Sequence, residues 1–144
     1  MPTIEDELSV IEVWIVETLN ADPTVAQLVG GRIFDTPPPE GTQYPYIIYN
    51  MSSVNDVRGV GTQRIMSDTI YIVKAVASTE QTRRLAELAG AMDAALTLTQ
   101  PAAVGLIGTV HSSVRERPVK FNEYTGGNHY SHRGGEYAIV AQRN

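Results

Sequence analysis

Residues Gly30–Asn50 read GGRIFDTPPPEGTQYPYIIYN, a stretch that places a stiff, apolar connector directly before a strand. The prolines Pro37–Pro39 restrict three backbone φ angles and supply no amide donors, so we expect the connector to be extended and to lie outside the sheet ladder. The next residues, Tyr46–Asn50, are mostly β-branched or aromatic and predict a strand. The stretch contains no phosphate loop, nucleophile elbow or metal box, so we expect it to set shape and not to perform chemistry.

The composition is that of an ordinary globular chain, and we expect one domain over residues 1–144. Of its residues, 42% are hydrophobic and 19% are charged, and none is cysteine, which excludes disulfides, thiolate metal sites and cysteine catalysis. The N-terminus is acidic where a signal peptide would be basic, and no apolar run reaches the roughly 18 residues of a membrane span. We therefore expect a soluble, unprocessed chain with no membrane partner.

Charge is distributed unevenly along the chain, whose net charge is −5. The first 40 residues contain eight acidic residues and one basic residue, whereas the remainder contains eight acidic and ten basic residues. Because an acidic surface repels phosphate, we do not expect tight binding of nucleic acid. The acidic part is interpreted as a solvated helix face or, alternatively, as a face turned toward a basic partner or a DNA passage.

Hydrophobic periodicity predicts three helices. Thr3 with Asp6, and Ser78 with Gln81, have the spacing of capping boxes at the starts of the first and third helices. The second is short and is capped by Asp22. The first helix is apolar on several sides, so it either lies at the centre of its own core or partly meets another subunit. The predicted helices span residues 4–19, 23–29 and 80–97.

Five strands are predicted. Of the two polar segments between them, the first is interpreted as a loop or a weak hairpin tip and the second as a loop. Gly105 and Gly108 lie inside the fourth strand and are interpreted as a bulge or a close backbone approach. The order of elements predicts an α+β fold, in which a mainly antiparallel sheet of four or five strands packs against two or three helices as a two-layer sandwich. The strands are expected at 32–34, 46–50, 69–77, 103–116 and 136–142, and the loops at 52–68 and 117–135.

No group of residues predicts catalysis or metal binding. His129 and His132 are three residues apart, which in a strand puts their rings on opposite faces, and no third ligand has a matching spacing. The sequence DVRGVG at 56–61 lacks the lysine and the following helix of a phosphate loop. We therefore expect no catalytic residue, no metal site, no cofactor and no enzymatic activity.

The string LNADPTVAQLVGGRIFDTPPPEGTQYPYIIYN at 19–50 resembles the opening of the tail terminator, or tail completion, proteins of long-tailed bacteriophages. That family begins with a helix, a turn of the form L-x-A-D-x-x-V-x-x-L-V-G-x-R-I, a proline-rich connector and a YPYI strand. The later strand IYIVKAVA, the single amphipathic helix and the two closing strands are also similar, so the resemblance covers nearly the whole chain. The matching residues are Leu19, Ala21, Asp22, Val25, Leu28, Val29, Gly30, Arg32, Ile33 and Tyr44–Ile47.

The resemblance implies a structural virion protein of the tail neck, present in the host cytoplasm during assembly. Such proteins form a ring, usually a hexamer, that caps the head-proximal end of the tail tube, stops tube polymerisation and joins the tail to the head. The implied partners are further copies of the chain, the tail tube protein and the head-side connector protein. DNA would pass through the ring without specific binding. Another neck or connector protein of similar fold is the alternative, and a stand-alone binding module or enzyme is a third.

Four arginines in the two polar segments are candidates for contacts with a neighbouring subunit or the tube, because arginine forks suit carboxylates. We expect residues 52–67 and 117–134 to be mobile in the free protein and ordered in the ring. Reversing the first two arginines to glutamate is expected to leave folding intact and to abolish tail joining. The four candidates are Arg58, Arg64, Arg117 and Arg133.

Overall fold

Three helices and six strands form the part of the chain that the computed structural model describes, residues 6–61, 63–78 and 81–144. The fold class is α+β, as predicted. None of the helices within these ranges has the length and apolarity that crossing a membrane requires. The elements are α1 (Glu7–Ala21), α2 (Pro23–Val29), β1 (Ile33–Asp35), β2 (Tyr46–Arg58), β3 (Arg64–Ser78), α3 (Thr82–Leu96), β4 (Ala102–Val104), β5 (Gly108–Thr125) and β6 (Asn128–Arg143).

The six strands form one sheet in the order β1-β2-β3-β6-β5-β4. The pairing of β1 with β2 is parallel and the other four pairings are antiparallel. The predicted sheet was thus mainly antiparallel, as observed, but the predicted number of four or five strands is wrong. The additional strand arises where Gly105, with φ +50°, turns the chain, so that the predicted strand 103–116 is two antiparallel strands, β4 and β5.

Helices α1 and α3 cover the same face of the sheet. Tyr71 of β3 and Tyr137 of β6 are cross-strand neighbours, and both are almost fully buried. The Tyr71 hydroxyl donates to Glu12 of α1 at 2.8 Å, whereas the Tyr137 hydroxyl donates to Asp93 of α3 at 3.0 Å. The two central strands are therefore sandwiched against both long helices, and the core lies between these layers. Apolar residues of α1 such as Ile15 belong to this core.

Most of the two segments predicted as loops is paired strand, which corrects that prediction. β2 continues to Arg58 and β3 begins at Arg64, while only residues 126–127 separate β5 from β6. All side chains of β2 from Met51 onward are exposed, on both faces. Without an apolar alternation, a strand held mainly by its backbone ladder gives no sequence signal. The expected mobility of these segments in the free protein stays a prediction.

The helix starts agree with the sequence only in part. Asp6 caps α1, accepting from the Ser9 amide at 2.8 Å, while Thr3 lies outside the described residues. Asp22 caps α2 as predicted, through the amides of residues 24 and 25. The second predicted capping box is wrong. Ser78 is the last residue of β3, and Gln81, which is the N-cap of α3, forms no side-chain cap hydrogen bond.

The proline connector lies outside the sheet ladder, as expected, but it is not extended throughout. The amide of Thr42 donates to the carbonyl of Pro39 at 3.3 Å, and Gly41 adopts φ +81°, so the chain turns after the third proline. Arg32 holds the end of the connector, donating from Nε to the Pro45 carbonyl at 3.2 Å and from Nη2 to the Leu28 carbonyl at 3.3 Å. The connector thus delivers β2 beside β1 in parallel register.

Candidate assembly interface

Two long stretches of sheet edge have no neighbouring strand among the described residues. β1 pairs only with residues 47–49 of β2, so residues 51–58 form one edge. β4 pairs only with residues 108–110 of β5, so residues 111–125 form the other, where the Ser113 carbonyl already accepts from the Leu98 amide at 3.0 Å. Both edges expose apolar side chains, including Val54, Val114 and Tyr124. Unpaired backbone donors and acceptors of this kind are templates for pairing with another chain.

Arg64, predicted to serve an interface, is tied into the fold by an acidic residue of α1. Its Nε lies 3.0 Å from Oε1 of Glu7, whose side chain is only 5% exposed, and this hydrogen bond raises the pKa of Arg64. Arg143 also approaches Glu7, at 4.0 Å. Arg58 lies opposite Arg64 in the register of β2 and β3 and is exposed, and no ion pair of Arg58 is present within the described ranges. The two arginines of this hairpin tip therefore differ, because Arg64 forms an ion pair within the fold whereas Arg58 faces solvent.

The two arginines of the second segment lie on different faces of the sheet. Arg117 pairs with Glu136 of the neighbouring strand at 2.7 Å, and Glu136 alternates with the buried Tyr137, which places this pair on the face away from the helices. Arg133 instead lies on the helix side, beside α3. The structure thus brings Arg58 and Arg64 together as cross-strand neighbours and separates Arg117 from Arg133.

A basic cleft of about 470 Å³ lies between α3 and the β5 edge. Its cations are Arg115, Lys120 and Arg133, and its carboxylate is Asp93, which already accepts from Tyr137 at 3.0 Å and lies 3.8 Å from Arg115. The wall formed by α3 consists of small residues, so the cleft stays open: Ala86, Ala89 and Gly90. Arg115 and Lys120 were missed from the sequence, because the strand that aligns them with α3 was interpreted partly as a loop.

An acidic surface lies on the opposite side of the molecule, where α1 passes β2. Glu12 and Glu17 of α1 and Tyr49 of β2 line a shallow depression, and Asp35 of β1 is exposed nearby. Partial burial raises the pKa of Glu12, even though the hydrogen bond from Tyr71 lowers it, and the charge of Asp35 adds to the increase. We define the acidic surface by Glu12, Glu17 and Asp35.

Aromatic side chains gather on the sheet face away from the helices. Tyr44 of the connector stacks on Tyr130 at 5.5 Å between ring centroids, and burial, together with that neighbouring phenol, raises the pKa of Tyr44 to about 12. The ring of His132 stacks on Phe121 at 4.3 Å, and its Nε2 lies 3.1 Å from Oε1 of Glu123. Burial lowers the pKa of His132, and this effect is larger than the increase caused by the Glu123 carboxylate.

The histidines do not converge on a site. His129 is exposed beside Tyr124 and His132 is buried, on opposite faces of β6 as predicted. His111 lies elsewhere, with Nε2 2.9 Å from the side-chain oxygen of Gln142. Across the described residues, no group of three or more His, Cys, Asp or Glu side chains is placed to hold a metal ion.

Comparison with known proteins identifies the family. Residues 14–120 match the family model described as tail completion protein gp17. The chain belongs to that family. The resemblance drawn from residues 19–50 is thereby confirmed, and membership of this family gives the chain a structural role in the phage tail.

The fold also recurs in a solved structure titled "Virion of native gene transfer agent (GTA) particle". The match has a TM-score of 0.64 and 15% sequence identity, and it covers 90% of each chain. At this identity the likeness shows a shared fold alone. No curated protein matches the tail completion chain.

Proposed function

We propose that the tail completion chain forms a ring, a hexamer, that caps the head-proximal end of the tail tube, stops tube polymerisation and joins the tail to the head-side connector. The observation that carries the proposal is the pair of open sheet edges on opposite sides of one family member. Two unlike sides suit a head-to-tail contact, which generates a closed ring when the rotation between subunits closes. In this role the protein belongs to the neck region of the virion, and it assembles there from the host cytoplasm.

One end of the sheet is the proposed contact with the tail tube. The β2–β3 turn and the β4–β5 turn both lie at the end where β6 finishes, because Gly108 of β5 pairs with Arg143. Their tips expose Val60 and Leu106 almost completely, and exposed aliphatic side chains on neighbouring turns suit a protein partner. Arg58, at the base of the first turn, is a candidate contact at the same end.

DNA is proposed to pass through the ring without specific binding. The chain carries a net charge of −5, which repels phosphate and disfavours a tight grip on the duplex. The cations of the second polar segment do not form a continuous basic track, since Arg117 is paired with Glu136 and Arg133 lies on the other face. The proposed ring therefore guides DNA and does not hold it.

The test is assembly in the presence of the tail tube protein of the same phage. Light scattering should measure the mass of the purified chain alone and with tube subunits, and electron microscopy should show where it binds. We expect rings at one end of each tube and tubes that stop growing once the ring is bound, whereas tube protein alone should elongate further. A monomer that never binds tubes would contradict the proposal. A ring that binds the connector and ignores tubes would favour another neck protein of similar fold.

A further inference from the structure

The helix side of the molecule is electrically polarised across the sheet. The acidic surface lies beside β1 and β2, and the basic cleft lies beside β5 and β6. Three strand spacings separate β2 from β5, which is about 15 Å. A second copy placed head to tail would bring one of these regions against the other.

The basic cleft has the features of a site for carboxylates. Lys120 and Arg133 have no salt-bridge partner in the part of the chain that the structure describes, and the carboxylate of Asp93 is already engaged by Tyr137 and Arg115. Lys120 and Arg133 also line a smaller adjoining pocket at the start of α3. The N-cap residue of that helix, Gln81, forms no side-chain cap hydrogen bond, so the positive end of α3 adds to the attraction for an anion.

The acidic surface has the complementary features. Glu17 is exposed and Glu12 is half-buried, and between them Val13 and Val16 provide apolar contact area beside Tyr49. No cation pairs with Glu12 or Glu17 within the described residues. The partial burial of Glu12 in the free chain costs stability, which a cation from a neighbouring subunit would offset.

We propose that the acidic surface of one copy, Glu12, Glu17 and Asp35, docks against the basic cleft of the next copy, formed by Arg115, Lys120 and Arg133. This inference rests on the proposed ring and specifies its subunit contact. The opposite charges select the head-to-tail arrangement, because a two-fold contact between two clefts would oppose cations to cations. The same contact brings the open edge of β2 toward the open edge of β5.

Charge reversals on the two sides test the contact. Lys120→Glu and Glu17→Lys each change an exposed side chain and should leave the far-ultraviolet circular dichroism and the thermal midpoint unchanged. Each should raise the protein concentration needed for ring formation by at least about tenfold, because like charges then face each other across the interface. The double variant Glu17→Lys/Lys120→Glu, in which both charges are exchanged, should recover assembly to within about threefold.

Mixing the two single variants sharpens the test. An equimolar mixture of Lys120→Glu and Glu17→Lys should form rings that contain both chains, because alternating subunits present unlike charges at every interface. Asp68→Lys makes the same charge change as Glu17→Lys at an exposed position outside the two surfaces and serves as its matched control, whereas Arg58→Glu tests the hairpin tip as an alternative interface. With one of the two variants labelled uniformly with ¹⁵N, native mass spectrometry distinguishes the mixed ring from rings of one variant.

The outcomes separate the docking contact from the ring itself. If the unmodified chain forms rings and both single variants assemble equally well, the contact is overturned while the proposed function stands. If Arg58→Glu abolishes the ring and Lys120→Glu does not, the interface lies at the hairpin tip and the proposal is wrong. If Lys120→Glu leaves the ring intact but weakens binding of a short DNA duplex, the cleft serves phosphate instead. If the unmodified chain never forms a ring with tubes present, the proposed function fails first.

Discussion

The central strands β3 and β6 and the outer halves of β2 and β5 use the same backbone ladder in very different surroundings. In the centre, Tyr71, Tyr137 and Ile139 are almost wholly buried under α1 and α3. At the edges, residues 51–58 are all exposed, and so is nearly every residue of 114–129. Hydrogen bonds thus determine how far the strands extend, whereas side-chain burial determines which part of each strand stabilises the chain. The edges are left for contacts with other molecules.

The largest effect on stability should come from removing a buried side chain from a central strand. Tyr137→Ala removes a ring that is 1% exposed, together with its hydrogen bond to Asp93. We expect a loss of about 3 to 5 kcal/mol in the free energy of unfolding, measured by denaturant titration of the free chain. Val114→Ala, on the exposed edge of β5, is the matched control and should change stability by about 0.5 kcal/mol or less. Similar losses for both variants would contradict the division between centre and edge.

A smaller but clear effect should separate the two arginines of the first hairpin. Arg64→Glu places a carboxylate against the buried carboxylate of Glu7 and should lower the thermal midpoint. Arg58 is the exposed cross-strand neighbour of Arg64. Arg58→Glu should leave the midpoint nearly unchanged, because surface substitutions usually change the free energy of unfolding by about 0.5 kcal/mol or less. The double reversal expected from sequence to spare folding is therefore a poor test of the interface, and Arg58→Glu alone is the better one. Equal midpoints for both single variants would show that the Glu7 pair does not hold the hairpin.

A pH effect should arise on the aromatic face, where β5 and β6 meet. Burial lowers the pKa of His132 in the folded chain below its ordinary value of 6.5, so the unfolded chain takes up the proton first. The unfolding free energy should therefore be highest above pH 6.5 and fall as the pH drops through 6.5 toward the folded-state pKa, by about 1 kcal/mol or less. His132→Gln should remove this part of the pH dependence in denaturant titrations. A dependence that persists unchanged in the variant would assign it to other groups.

The smallest effect should come from the acidic surface. Because burial raises the pKa of Glu12 in the folded chain, ionisation of this carboxyl costs stability at neutral pH. Glu12→Gln retains an oxygen that accepts from Tyr71 and should stabilise the free chain by about 0.5 kcal/mol, a value kept small because the group is partly solvated. The gain should shrink as the pH falls below the raised pKa and vanish below the ordinary value of 4.5, where Glu12 is protonated in both the folded and the unfolded chain. A gain that does not change with pH would contradict this cause.

Local signals in the sequence were sufficient for the short-range features of this tail completion protein. Asp22 before Pro23 and the glycine at residue 30 predicted α2, and the observed cap and left-handed turn use the same residues. Tyr46–Asn50 and 69–77 predicted the inner parts of β2 and β3 through their β-branched and aromatic residues. The order of these elements predicted the α+β class, and the pattern at 19–50 predicted the family.

Only the tertiary structure decided the features that join distant parts of the chain. The outer half of β2 is exposed on both faces, so no periodicity marks it, and its pairing with β3 alone shows that it is a strand. Glu7 and Arg64 are 57 residues apart, and no local pattern relates them. The basic cleft likewise requires α3 to lie beside β5, so that Arg115 and Lys120 meet Arg133. Propensity and periodicity act over a few neighbouring residues, whereas edges, buried ion pairs and clefts arise from packing between elements, and sequence alone does not specify that packing.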